Sequence, residues 1–178
     1  VSEKQKKVNG KNSGSPVNVG YTTTVSGAGF TKGSNDTTVV AAENTTESQR
    51  TGKVTITASE GGKTAEITLT QSAATVTYEY ELTVDPTSLQ FAAAGETKVF
   101  GVTSNKQKKV NGKDSGAPIV VTYTTVVSGT GFTKGSTDYS VVAAANTGAV
   151  RTGSAVVTAT EGGKEATVTL NQLAGASA

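Results

Sequence analysis

The feature that most constrains this chain is an internal repeat. The segment Lys4–Lys11 recurs without change as Lys106–Lys113, and the same spacing relates Gly29–Ser34 to Gly131–Ser136. After a one-residue deletion in the second copy, the motif Arg-Thr-Gly at residues 50–52 recurs at residues 151–153. A repeat with the length of an ordinary domain predicts two copies of one folded module, and it argues against a single large domain.

The two copies differ at their beginnings. Leu82–Asn105 opens the second copy, whereas no counterpart precedes Val1. We therefore predict two domains, residues 1–77 and residues 78–178, of which the first lacks its first strand. We expect that the chain, which begins with neither Met nor a signal peptide, is cut from a longer tandem array. The alternative is that another part of an assembly supplies the missing strand by strand addition.

The composition of both copies favours β-strands. Threonine and valine are abundant, and branching at Cβ costs rotamer freedom in a helix but packs well on a sheet. The clearest hairpin joins Ser154–Thr160 to Lys164–Asn171 through the turn Glu161–Gly163. About seven short strands in about 100 residues are typical of a sandwich of two packed sheets. The sequence therefore predicts an all-β chain of two tandem immunoglobulin-like β-sandwich domains.

The remaining strand predictions for the second copy follow from apolar runs between turn signals. The segment from Leu82 to Phe91 is interrupted by Pro86, which is tolerated at an edge or a bulge but not in a central strand. A loop is expected between Gly112 and Gly116. The other predicted strands are Thr97–Thr103, Ile119–Ser128 and Ser140–Ala145.

Several functional classes are disfavoured by what the chain contains. It has no His and no Cys, which supply most transition-metal ligands, general bases near neutral pH and thiol nucleophiles. Its carboxylates are scattered, without the facing pair of a glycosidase or the oxygen-rich loop of a calcium site. The net charge of +2 is too small to favour nucleic acid, and no apolar run has membrane-spanning length. We therefore expect no enzyme activity, cofactor, metal, nucleic-acid partner or membrane insertion.

Short motifs in both copies carry a family resemblance. In the second copy they are Leu82–Phe91, Val102–Asn105, Asn146, Arg151–Gly153 and Val168–Gln172. In the first copy they are Asn44, Arg50–Gly52 and Ile67–Gln71. The chain resembles the BACON-type and related immunoglobulin-like modules of Bacteroidetes surface proteins and of phages that infect those bacteria. The resemblance implies a glycan-binding role, although many BACON modules place a tryptophan where this chain has Lys106–Lys109.

Two groups of side chains are candidates for contact with a polyanion or a glycan. The first is the repeated lysine cluster, which comprises Lys4, Lys6, Lys7, Lys106, Lys108 and Lys109. Adjacent cations on one strand create a positive stripe, but they also keep an exposed edge strand from aggregating. The second is Tyr139, which has no tyrosine at the equivalent position of the first copy. Tyr21 and Tyr123, which do recur, are expected to be core residues.

Together these observations predict a structural and adhesion module of an exposed assembly. The assembly is either a phage virion appendage or decoration, or a bacterial cell surface, and the expected location is therefore extracellular. Its expected partners are other copies or subunits of that assembly, with polysaccharide as a further ligand. The alternative is a dedicated carbohydrate-binding module that tethers an enzyme or a particle to glycans.

Overall fold

The chain divides into two compact units. The computed structural model describes residues 1–175, and these form strands, turns and loops without a helix. The first unit is Val1–Val76, and the second begins at Thr77. The strands up to the junction are β1 (Glu3–Lys4), β2 (Lys7–Val8), β3 (Lys11–Asn12), β4 (Val17–Asn18), β5 (Tyr21–Ser26), β6 (Phe30–Lys32), β7 (Val39–Ala41), β8 (Arg50–Ala58) and β9 (Thr64–Gln71).

The second unit contains the longer strands. They are β10 (Val76–Asp85), β11 (Ser88–Phe91), β12 (Glu96–Val99), β13 (Gly101–Val110), β14 (Lys113–Asp114), β15 (Ile119–Val120), β16 (Tyr123–Ser128), β17 (Phe132–Lys134), β18 (Ser140–Ala143), β19 (Arg151–Ala159) and β20 (Glu165–Gln172). One sheet has the order β11-β20-β19-β16, and another has the order β12-β18-β17. A further sheet has the order β10-β13-β14, with β15 also paired to β13.

A buried apolar core joins the sheets of the second unit. Alternate residues of β19 and β20 point inward, since successive side chains of a strand face opposite sides. Phe91 and Phe132 meet edge to face with their ring centroids 5.5 Å apart. The other buried members of the cluster are Leu89, Phe100, Val141, Ala143, Ala155, Val157, Val168 and Leu170. The predicted all-β, immunoglobulin-like sandwich class is therefore confirmed.

The first unit repeats part of this architecture. Its main sheet has the order β5-β8-β9, and β6 pairs with β7. The registers match those of the second unit, since Arg50 lies opposite Gln71 as Arg151 lies opposite Gln172. Strands equivalent to β11 and β12 do not occur in residues 1–75. The first unit consequently has fewer buried side chains, which are Val19, Thr23, Phe30, Asn44 and Val54.

Several strand predictions need correction at their ends. The predicted strand Thr97–Thr103 is two strands, because the chain passes at the buried Phe100 from the sheet of β12 and β18 to the sheet of β10 and β13. Ile119–Ser128 is likewise divided into β15 and β16. The expected loop from Gly112 to Gly116 contains the short strand β14. The break at Pro86 and the hairpin of β19 and β20 lie where the sequence places them.

The repeated glycines and phenylalanines form the same packed corner in both units. Phe30 and Phe132 are buried. A Cβ added at Gly52 would lie 2.7 Å from the Phe30 ring, and one added at Gly153 would lie 2.8 Å from the Phe132 ring. The glycine of each Arg-Thr-Gly motif therefore makes room for the aromatic ring beside it.

Candidate binding surface of the second unit

Two tyrosines lie side by side on strand β10. Tyr78 and Tyr80 are two residues apart and so project from the same face of the strand. Tyr78 is 45% exposed, whereas Tyr80 is half-buried. The Tyr80 ring covers the β19–β20 hairpin turn, where a Cβ added at Gly162 would lie 2.3 Å from its Cγ. Gly162 also has a φ of 76°, which favours glycine.

Lys106 joins these tyrosines to the hairpin turn. Its Nζ donates to Glu161 Oε2 at 2.6 Å and lies 5.4 Å from the centroid of the Tyr78 ring. The hydrogen bond from Lys106 to Glu161 raises the pKa of the ammonium group above its usual value. We call Tyr78, Tyr80, Lys106 and Glu161 the tyrosine–lysine surface. It presents an aromatic face with a cation and a carboxylate beside it.

Lys109 holds a second set of charges together on strand β13. Its Nζ lies 2.9 Å from Glu79 Oε2 and 3.2 Å from Asp114 Oδ1. Hydrogen bonds to Glu79 and then to Asp114 raise the pKa of the Lys109 ammonium group. The positive charges of Lys106 and Lys109 are thus compensated by carboxylates of the same unit.

An open groove borders the tyrosine–lysine surface. It has a volume of about 540 Å³ and is lined by Glu79, Tyr80, Glu81, Asn105, Gln107 and Asp114, among others. The carboxylates of this groove can accept hydrogen bonds from hydroxyl groups, and its amides can both donate to and accept from them. The combination of an aromatic ring with a few polar groups is the usual chemistry of a small-molecule site.

The lysines of the first copy are in a different environment. Lys4 donates to Glu60 Oε2 at 2.8 Å, which repeats the pair between Lys106 and Glu161. Lys4, Lys6 and Lys7 are exposed, and they lie on or between strands of two residues each. By contrast, Lys106, Lys108 and Lys109 are half-buried on the continuous strand β13. The lysines of the second copy are less exposed because their strand, β13, has β10 as a neighbour in the same sheet, whereas, within residues 1–175, β1 pairs only with β4 and β2 only with β3.

The alternative interpretation of the lysine cluster as an edge strand is wrong for the second unit. Strand β13 has β10 as one neighbour and pairs with β14 and β15 as well. Lys108 also has a partner. The lysines of this copy therefore lie inside a sheet, where carboxylates offset the charges of Lys106 and Lys109.

Tyr139 lies apart from the lysine cluster. It is 45% exposed and precedes β18, and its backbone carbonyl accepts from the Phe100 amide at 3.0 Å. No hydrogen bond or ion pair joins it to the lysines within residues 1–175. Within the second unit, Tyr139 therefore lies next to the sheet of β18, whereas the lysines lie on β13 in a different sheet.

The repeated tyrosine behaves differently in the two units. Tyr123 packs against the core, and burial is the main cause that raises the pKa of its phenol. Its equivalent, Tyr21, is 36% exposed. The expected core position is thus correct in the second unit but not in the first.

Sequence reasoning missed the pairing of the lysine cluster with the hairpin turn. The signal was present, since Glu60 and Glu161 recur together with Lys4 and Lys106. Repetition of both partners of a pair is the pattern that indicates a contact. The stacking of Lys106 on Tyr78 had no comparable signal, because Tyr78 does not recur.

The remaining charged groups have structural partners. Asp138 accepts from the Thr125 amide at 3.0 Å and from Lys134 at 2.8 Å, and Asp36 does the same with Thr23 and Lys32. In both aspartates the hydrogen bond from lysine is the largest cause that lowers the carboxyl pKa. Within residues 1–175, no group of three or more acidic, His or Cys residues could hold a metal ion.

The residues of the family motifs also tie the fold together. Arg151 donates to the Ala144 carbonyl at 2.8 Å and to Gln172 Oε1 at 2.6 Å. Asn146 donates to the carbonyls of Ala149 and Leu173. Arg50, Gln71 and Asn44 make the equivalent bonds in the first unit. The motif residues therefore stabilise the fold, and they are not part of the tyrosine–lysine surface.

The fold and these surfaces define an all-β, immunoglobulin-like module of the binding type. Residues 12–72 match the BACON family, which is described as a putative binding domain, N-terminal. The predicted BACON-type resemblance is thereby confirmed, and the match lies in the first copy. No curated protein matches the chain.

Two solved structures with cadherin domains are distantly similar. The crystal structure of Drosophila N-cadherin EC1-4 is 16% identical with a TM-score of 0.34, and the match covers 97% of this chain and 46% of the cadherin. Zebrafish RET cadherin-like domains 1 to 4 are 14% identical with a TM-score of 0.22, covering 88% and 42%. The chain spans less than half of either structure, and at these TM-scores the likeness carries no argument. Among the described residues, no helix has the length and apolarity to cross a membrane.

Proposed function

We propose that the chain is a non-enzymatic tandem module of an exposed assembly, with structural and adhesion roles. The observation that carries this proposal is the match of residues 12–72 to a family described as a binding domain. The compensated charges of the second unit agree with it, because Lys106 and Lys109 are paired within the fold and are not grouped around a cleft with reactive side chains.

The assembly we propose is a phage virion appendage or decoration, or a bacterial cell surface. Its other subunits, or further copies of the module, are the partners. Gold-labelled antibody against the second unit, applied to intact cells and to virions of the source, tests the location. Label on either surface supports the proposal, whereas label that appears only after the cells are permeabilised contradicts it.

A second candidate function is carbohydrate binding through the tyrosine–lysine surface. It is favoured by the exposed Tyr78 ring beside Lys106 and by the neighbouring groove of carboxylates and amides. An aromatic face packs against the apolar face of a sugar ring, and the polar groups select its hydroxyls. On this proposal the first unit, which has no equivalent of Tyr78, contributes no platform.

A glycan array at low and at moderate salt separates the two functions. Binding that survives moderate salt and is lost in Tyr78→Ala supports the carbohydrate-binding role. Tyr139→Ala is the matched comparison, because Tyr78 and Tyr139 are equally exposed. Loss of binding in that variant alone would place the site at Tyr139. Binding could instead disappear at moderate salt and in the variant with Lys106, Lys108 and Lys109 all changed to Ala. That result would indicate only a weak polyanion contact and would favour the structural role over carbohydrate binding.

A further inference from the structure

The side-chain charges of the second unit cancel. Residues 77–178 contain eight Lys and Arg residues and eight Asp and Glu residues, whereas residues 1–76 contain eight basic and six acidic ones. The formal net charge of +2 therefore belongs entirely to the first unit. A unit without net charge exerts no net long-range attraction on a polyanion. The second unit consequently lacks the field that would draw an acidic polymer towards it.

The two lysines nearest the tyrosine–lysine surface already donate to carboxylates. Lys106 Nζ donates to Glu161 Oε2 at 2.6 Å, and Lys109 Nζ lies within 3.2 Å of both Glu79 and Asp114. An anionic sugar would have to displace one of these carboxylates or remain without a donor. Either outcome costs free energy, because a charged group that leaves water without a hydrogen-bond partner is penalised.

The groove beside this surface offers chiefly hydrogen-bond acceptors. Gln107 Nε2 donates to the carbonyl of Lys108 at 3.0 Å and to that of Gly116 at 3.1 Å, so both of its amide hydrogens are used. Its Oε1 atom remains as an acceptor, and the three carboxylates that line the groove can only accept. A ligand that fits this lining must donate, as the hydroxyl groups of a sugar do.

The charges of the groove also oppose an anion. Its lining includes three carboxylates and the ammonium group of Lys164, and Lys109 contacts two of the carboxylates. With Lys109 counted, carboxylates outnumber ammonium groups by one. Asn105 supplies the neutral polar group of the lining, is half-buried on β13 and makes no side-chain hydrogen bond within residues 1–175. Its amide can donate to and accept from neighbouring sugar hydroxyls.

The apolar part of the surface extends across three strands. Ile119 of β15 lies directly opposite Lys106 of β13, so the two side chains share one face of the sheet. Lys106 in turn lies over the Tyr78 ring of β10. Tyr78 is 45% exposed and Ile119 is 48% exposed. An aromatic and an aliphatic side chain on the same face suit the apolar face of an uncharged sugar ring.

We propose that the tyrosine–lysine surface and its groove bind neutral hexose polymers and reject the same polymers when these carry carboxylate groups. The inference rests on the carbohydrate-binding candidate described above and names its substrate class. The sugar hydroxyls donate to the groove carboxylates and to Gln107 Oε1, while Asn105 accepts from one hydroxyl and donates to another. This selectivity is the opposite of the polyanion contact that the lysine cluster suggests from sequence.

The test uses matched pairs of oligosaccharides. Soluble oligomers of glucose, of mannose and of galactose are titrated into the ¹⁵N-labelled full chain, each beside its counterpart with the primary hydroxyls oxidised to carboxylates. We expect at least one neutral oligomer to cause saturable chemical-shift changes at β10 and β13. The Kd of its oxidised counterpart should be higher by at least about ten-fold. The Kd of the neutral oligomer should not change at moderate salt.

A single charge in the groove provides the matched variant. Glu81→Gln removes one groove carboxylate at nearly constant size, so it should reduce the ratio of the two Kd values by about two- to five-fold. The neutral oligomer should bind this variant almost as it binds the unmodified chain, because glutamine still accepts from a hydroxyl. Glu165→Gln is the control, since Glu165 is exposed on β20 and does not line the groove. It should leave the ratio unchanged.

The possible failures are distinguishable. Equal or tighter binding of the oxidised oligomer at β10 and β13 would overturn the substrate class and leave the carbohydrate-binding function intact. The absence of shift changes with every oligomer, neutral and oxidised, would overturn both. Shift changes confined to the first unit would place the glycan contact outside the tyrosine–lysine surface and would also overturn the proposal.

Discussion

The two units share one sequence pattern but differ in how much of it they bury. Leu170 is fully buried in the second unit, whereas the aligned Leu69 is half-buried in the first. The strands that carry these residues have the same register against β19 and β8. The hairpin is therefore specified locally, while burial depends on strands β11 and β12, which only the second unit contains. Aligned residues of the two copies can therefore differ in burial although their sequences repeat.

The largest effect should come from the residue that closes the second core. Phe91→Ala removes a fully buried ring that packs on Phe132, and we expect it to lower the free energy of unfolding of the second unit by about 3–5 kcal/mol. Native-state amide exchange, followed separately in β19 and β8, measures the two units. An equal loss of protection in β8 would show that the units do not unfold independently.

A matched pair of leucines tests the comparison directly. Leu170→Ala should cost the second unit about 2–5 kcal/mol, as expected for a buried leucine. Leu69→Ala should cost the first unit only about 1 kcal/mol, because its side chain is already partly hydrated. Urea denaturation monitored by NMR gives both values. Equal costs would mean that the first unit in solution is closed, contrary to the structure.

The aspartates that follow β6 and β17 in the two units should behave alike. The carboxyl pKa of Asp36 and that of Asp138 are both lowered, chiefly by a lysine hydrogen bond and then by a backbone amide. Because the folded pKa lies below the unfolded one, their stabilisation is present above about pH 4 and is lost as the pH falls through the folded pKa. Titration of the side-chain carboxyl carbons by NMR should show both values below 3.8. An ordinary carboxyl pKa for either aspartate would show that the two units do not share this hydrogen-bond arrangement in solution.

The smallest effect should come from the repeated lysine–glutamate pairs. Lys106→Ala should destabilise its unit slightly more than Lys4→Ala, because the Lys106 side chain is 21% exposed and covers Tyr78, whereas Lys4 is 53% exposed. Exposed ion pairs contribute little, so neither change should unfold the protein. Thermal unfolding of the two variants in low and high salt provides the comparison. A larger decrease in melting temperature for Lys4→Ala than for Lys106→Ala would contradict the conclusion that Lys106 is the more buried of the two lysines.

The sequence predicted the fold class and the inward-facing residues of β20, but it did not predict which strands surround the candidate site. Residues such as Val168 and Leu170 alternate with threonines, and that period identifies a half-buried strand whatever its partners are. The candidate site depends on which strands become neighbours. Lys106 meets Tyr78 because β10 lies next to β13, and this is a long-range pairing without a local signal.

What the sequence determined by itself is the repeated β-module, its hairpins and turns, and the family resemblance of its motifs. The strands follow from the alternation of apolar and polar residues, and the turns follow from glycines that adopt positive φ. Both patterns are local, because each is contained in a short segment of the sequence. Only the tertiary structure decided that Lys106 and Lys109 are paired with carboxylates inside a sheet and that aligned apolar residues are less buried in the first unit than in the second. Burial and charge compensation depend on residues far apart in the chain, and no local pattern contains that information.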